Sequence, residues 1–145
     1  MKPAALFSEE EIALLTETIR RVEQASSVEI RVHVENHCPV HVLDRAVAVF
    51  EKLDMRETDS RNGILIYAAL KDRVSAIIGD ENVNRYAHRE FWLEANREMN
   101  GYFVRRRFSE GIRRAIEHVG QELAAHLPCL PDDRNELPDD ISFGE

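Results

Sequence analysis

Two polar segments hold most of the side chains able to do chemistry. Residues 54–62, DMRETDSRN, carry Asp54, Glu57, Thr58, Asp59, Ser60, Arg61 and Asn62, and residues 79–84, GDENVN, carry Asp80, Glu81, Asn82 and Asn84. Carboxylate and carboxamide oxygens at this density are the ligand set of hard cations such as calcium and magnesium, which need neither histidine nor thiolate. The spacing is not that of an EF-hand, whose acids alternate ahead of a glycine and a closing glutamate. A plainer reading stands beside the cation: these are loop and cap residues, with Asp80 or Asn82 capping a helix that begins near Val83.

Other candidates are thinner. His37-Cys38-Pro39-Val40-His41 offers three zinc or copper ligands, but a structural zinc site takes four and no matching pair occurs elsewhere. Cys38 alone reads as a small residue tucked against the core. Arg105-Arg106-Arg107, flanked by Tyr102, Phe103 and Phe108, is the only basic run. It suits a phosphate group or an acidic partner, or else a solvated loop facing the acidic C-terminal tail. No GxSxG, HExxH, Walker or dinucleotide motif is present.

The elements that must position these side chains follow from periodicity. Ser8 and Glu11 form a capping box, with Phe7 stapling onto Ile12, and open a helix with the stripe Ile12, Leu15, Ile19 and Val22 that ends near Ala25. Residues 28–35 alternate strictly, which predicts a strand with Glu29, Arg31, His33 and Glu35 on a wet face. Helical spacing returns from Val42 to about Leu53 and can serve as a crossover. The unbroken run ILIYAAL at 64–70 predicts a central strand covered on both faces, parallel to the first. RVSAIIG at 73–79 then returns through a hairpin at Lys71-Asp72. Two helices follow, at about 83–99 and 109–126, before a non-helical stretch with Pro128, Pro131 and Pro138.

The hairpin decides which loops meet. A two-residue turn at Lys71-Asp72 pairs Leu70 with Arg73, so partner numbers sum to 143, and the same register sets Gly63 against Asp80 and Asn62 against Glu81. The two polar segments therefore converge at one end of the sheet. The expected architecture is a three-layer α/β/α sandwich with a small mixed sheet of three or four strands flanked by helices. It comprises one domain over residues 1–128 and an acidic, proline-containing tail over 129–145.

Acids outnumber Lys plus Arg by 27 to 19 in the 145 residues, a net charge of −8. Such a field disfavours nucleic acid and anionic membrane surfaces. Residues 131–145 hold six acids and one Arg134, so they contribute 1 − 6 = −5 of that total. No apolar run approaches the roughly 20 residues that span a bilayer, so direct membrane insertion is not expected. The start, MKPAALF, is too short and insufficiently apolar for a signal peptide. The expectation is a cytoplasmic protein with Cys38 and Cys129 reduced.

The same residues carry a resemblance. The strand SSVEIRV (26–32), RNGILIY (61–67), KDR (71–73), IIGDEN (77–82) and the closing FSEGIRRAIEHVGQEL (108–123) resemble the TPM domain family, over residues 8–127. The family occurs in thylakoid-lumen photosystem-repair proteins, a nematode receptor-associated protein and many bacterial proteins. Its signal-less bacterial branch is the most similar in layout, with a cysteine after the first strand, FW in the third helix and a tail like PDDRNELPDD. The resemblance implies a mixed sheet between helices and a divalent-cation site at positions corresponding to Asp59, Asn62, Asp80 and Glu81. It also brings the acid phosphatase activity of some plant members, in which the cation would act as Lewis acid and Asp80 would position water or leaving group. Arg61 departs from the pattern, standing where many members carry the acid of Asp-Asn-Gly. Bacterial relatives often accompany LemA-like membrane proteins, which suggests a protein partner of that kind. The leading expectation is a non-catalytic calcium- or magnesium-binding domain that acts through a protein partner. A metal-assisted phosphatase and a metal-free scaffold working through the acidic tail are the alternatives.

Overall fold

The computed structural model describes residues 1–129 and 136–144. The Ser8 hydroxyl accepts from the Glu11 N–H at 3.0 Å and the Glu11 carboxylate from the Ser8 N–H at 2.9 Å. This reciprocal box opens α1 (Glu9–Ala25), where three acids in the first turn suit the positive end of the helix dipole. There follow β1 (Glu29–Glu35), α2 (Val42–Lys52), β2 (Gly63–Ala69), β3 (Val74–Gly79), α3 (Arg89–Phe103), α4 (Phe108–Ala124) and the two-residue β4 (Ser142–Phe143). Short 3₁₀ turns stand at Pro3–Leu6, Met55–Glu57 and Val83–Arg85.

The sheet order is β3-β2-β1-β4, with β1 parallel to both β2 and β4 and β3 antiparallel to β2. The β2–β3 ladder runs from Ile64 opposite Gly79 to Ala69 opposite Val74, each pair summing to 143 as the sequence predicts. It stops one pair short of the turn, so Leu70 to Arg73 form the connection, and Arg73 turns it with a left-handed backbone (φ 56°).

Strand alternation sorts the buried side chains into two cores. Ile64, Ile66 and Ala68 of β2 pack with Ile30, Val32, Leu15, Met99 and Ile116 on the side of α1, α3 and α4. Leu65, Tyr67 and Ala69 pack with Ala46, Val49, Phe50 and Met55 on the α2 side. The result is the three-layer α/β/α sandwich, with four strands and four α-helices among the described residues.

Two expectations are corrected. The third helix does not run unbroken from Val83: a 3₁₀ turn at Val83–Arg85 precedes α3, which starts at Arg89. The Asn84 side chain ties that turn down, donating to the Gly79 carbonyl at 2.8 Å and accepting from the Trp92 indole at 3.1 Å. The second correction is β1, which has no wet face, since all seven residues are buried. Residues 136–144 lie along it: the Glu29 carboxylate accepts from the Leu137 N–H at 2.9 Å, Arg31 stands 3.7 Å from Asp140 and His33 Nδ1 is 2.8 Å from Ser142 Oγ. Charged side chains are tolerated there because each has a partner. Among the described residues, no helix is long and apolar enough to cross a membrane, and Cys38 and Cys129 are both free.

Candidate functional site

The hairpin brings residues 61–62 and 80–82 together at the entry end of β2. The Asp80 N–H donates to the Gly63 carbonyl at 2.9 Å and the Asn82 N–H to that of Arg61 at 3.2 Å. Arg61 takes a left-handed backbone (φ 57°), and its guanidinium grips Asp80 with two parallel bonds, Nε to Oδ2 at 2.8 Å and Nη2 to Oδ1 at 3.0 Å. Oδ1 also accepts from the Glu81 N–H at 2.8 Å. Asp80 is only 4% exposed, whereas the Glu81 side chain is 74% exposed and reaches Arg61 at 3.7 Å. Asn62, 2% exposed, donates to Ser27 Oγ at 2.9 Å and accepts from Asn82 Nδ2 at 2.6 Å.

Of the four expected cation ligands, Asn62, Asp80 and Glu81 thus gather around Arg61. Asp59 shares no hydrogen bond or ion pair with them among the described residues; it is exposed, and its N–H donates to Glu136 at 3.1 Å. The donor set tests poorly as a resident cation cage. Both Asp80 oxygens and the Asn62 carbonyl are engaged, and no group of three or more His, Cys, Asp or Glu side chains is placed to hold a metal ion among the described residues. A guanidinium already delivers positive charge to Asp80, whose hydrogen bonds in turn hold the Arg61 pKa above its ordinary value. As a phosphatase residue Asp80 would have to orient water with a carboxylate that already accepts two bonds from Arg61 and one from the Glu81 N–H. The plainer cap reading fares unevenly too. Asp80 closes a local turn on Glu81, and Asn82 supplies no side-chain cap to the 3₁₀ turn that follows.

The loop of His37, Cys38 and His41 is bound to other work. Asp72 accepts from the Cys38 N–H at 2.7 Å and lies 2.9 Å from His37 Nδ1, and His41 Nδ1 caps α2 by accepting from the Leu43 N–H at 3.3 Å. A second polar cluster escaped the sequence reading. Glu35 takes two bonds from Arg45, both 2.8 Å, a hydrogen bond from the Tyr67 hydroxyl, and lies 3.3 Å from His33 Nε2. Burial pushes the Tyr67 hydroxyl pKa up and the His33 pKa down. The available signal was a lone tyrosine inside the apolar run ILIYAAL, opposite a strand with a charged face.

A family model described as the TPM domain matches residues 1–122, and no curated protein sequence matches significantly. Among solved structures, the BA42 protein of the psychrophilic bacterium Bizionia argentinensis is similar at 37% identity, with 95% of each chain covered and a TM-score of 0.87. An N-terminal domain from P. gingivalis shares the fold at 17% identity, covering 86% of this chain and 80% of that one with a TM-score of 0.74. The N-terminal domain of cg2496 from Corynebacterium glutamicum does so at 15% identity, 79% and 72% coverage and a TM-score of 0.65. A family match over most of the length, joined to the α/β/α layering and the β2–β3 corner, establishes that the chain belongs to the TPM domain family.

Proposed function

We propose that this chain is a binding rather than a catalytic TPM domain, and that its corner takes calcium or magnesium only in competition with Arg61. The observation that carries this reading is the bidentate Arg61–Asp80 pair. Asp80 is the most buried carboxylate of the corner, and a hard cation can claim its oxygens only when the guanidinium withdraws. Asp59 and Glu81, both exposed, would then complete the charge. Three carboxylates, the most buried of them already paired with a guanidinium, predict weak affinity. Calorimetric titration with calcium should give weak or unsaturated binding for the unaltered chain, and binding tighter by at least about ten-fold for Arg61→Asp, which removes the competitor and adds a carboxylate. Absence of saturable binding in the Arg61→Asp protein would remove the cation from this reading. Partner binding draws support from Leu43 and Val47, exposed one turn apart on α2, and Leu93 on α3. Leu43 and Leu93 line an apolar groove of about 340 Å³ along β3.

A further inference from the structure

The opposite end of the hairpin holds a cavity of different character. It lies six residues along β2 from the Asp80 corner, or about 20 Å at strand rise. Its volume is about 440 Å³, within the range of small-molecule sites. Leu70, Phe103 and Phe108 wall it, and Arg73, Arg106 and Asn100 rim it. Among the described residues no carboxylate lines it. Arg73 and Arg106 have no acidic partner among the described residues, although acids are in excess overall. The acids nearest them in the sequence are engaged elsewhere: Asp72 by His37 and the Cys38 N–H, and Glu110 by Arg107.

The basic run is divided by geometry. Arg105 and Arg107 stand 5.0 and 5.8 Å from the Tyr102 ring centre, while Arg106 lies 5.6 Å from that of Phe108 at the cavity. Both rim arginines have left-handed backbones, φ 56° and 58°, a conformation uncommon outside glycine, asparagine and aspartate. Val104, which also lines the cavity, is 81% exposed. The acidic segment over residues 136–144 lies along β1, and among the described residues no ion pair joins it to this run.

We propose that this cavity binds a small organic anion, its phosphate or carboxylate head between Arg73 and Arg106 and its flat apolar body against Phe103 and Phe108. Two guanidiniums can share such a head through charge-assisted hydrogen bonds, and aromatic walls take a planar body by burial and stacking.

The probe is phenyl phosphate, followed by amide NMR titration of the full chain, with inorganic phosphate and benzyl alcohol as single-feature controls. Saturable shifts at Leu70, Val104 and Phe108 are expected, with each control weaker by at least about ten-fold. Arg73→Asn with Arg106→Asn, which removes both charges while suiting left-handed φ, should lose at least about ten-fold in affinity with the rest of the spectrum unchanged. On the unaltered chain, added salt should weaken binding, which tests the charge without any variant. Benzoate in place of phenyl phosphate distinguishes the two heads, the tighter of them identifying the ligand's. Shifts that do not saturate, that centre on Asp80, or that persist in the double variant and in high salt would overturn the proposal. Arg61→Asp should leave this binding unchanged, so the two sites stand or fall separately.

Discussion

Glu35 shows how a carboxylate remains ionised inside this sheet. Burial works against its charge, but the hydrogen bonds from Arg45, Tyr67 and His33 outweigh it and bring its pKa from 4.5 down to about 2. Removing one donor tests the balance. Tyr67→Phe keeps the buried ring and deletes the hydroxyl, and hydrogen bonds to charged groups contribute about 1.5–3 kcal/mol, so urea unfolding near neutral pH should show a loss of about 2 kcal/mol. The sign with pH follows from proton binding. Between pH 4.5 and about 2 the unfolded chain holds more protons at this position, so the stability Glu35 contributes is present above that window and is lost as pH falls through it. Melting temperatures measured across the window should fall less steeply in Tyr67→Phe.

Helix packing depends on glycines whose roles are opposite in sign. A Cβ at Gly111 of α4 would stand 2.9 Å from the Met99 carbonyl oxygen of α3 and 3.0 Å from Phe103 and Tyr102. A main-chain carbonyl has no rotamer to escape into, so α3 and α4 would have to separate. Gly111→Ala should therefore destabilise by about 1–3 kcal/mol, the usual range for overpacking, even though alanine favours helix by about 1 kcal/mol. Gly101 of α3 is the control, because a Cβ there meets nothing within 4 Å. Gly101→Ala should gain up to about 1 kcal/mol. Equal changes in denaturant midpoint for the two variants would contradict this packing account.

Across the whole molecule, the C-terminal segment docks through groups contributed by α1 and β1. Glu23 of α1 accepts from the Ile30 N–H at 3.1 Å and bonds Asp139, which also stands 3.9 Å from Arg20. Burial raises the Glu23 pKa to about 9; the hydrogen bond and charge of Asp139 and the charge of Glu29 add to this, while the Ile30 N–H opposes it. Two carboxyl groups in contact need a proton between them. Here the folded chain holds that proton and the unfolded chain releases it above about 4.5, so stability present below that pH declines until about pH 9. Glu23→Gln preserves the acceptor for Ile30 and supplies a permanent donor to Asp139. Its urea midpoint should fall less between about pH 5 and 9 than that of the unaltered chain, and exceed it at the alkaline end. A slope matching that of the unaltered chain would place the titrating group elsewhere.

Short-range pattern determined much of this architecture. The Ser8–Glu11 box marked the start of α1, alternation marked β1, and the Lys71-Asp72 turn set a register that alone brings residues 61–62 against residues 80–82. Those features depend on contacts within a few positions or on a period, and both are visible in a string of letters. Tertiary structure decided the rest. Alternation shows that Glu29, Arg31, His33 and Glu35 share a face, but whether that face meets water depends on residues 136–144, about a hundred positions away. The polar corner was legible as a meeting of loops. What closes it is a single left-handed residue, Arg61, whose backbone dihedral aims a guanidinium at Asp80, and the pairing of two charges depends on that direction rather than on their separation in the chain.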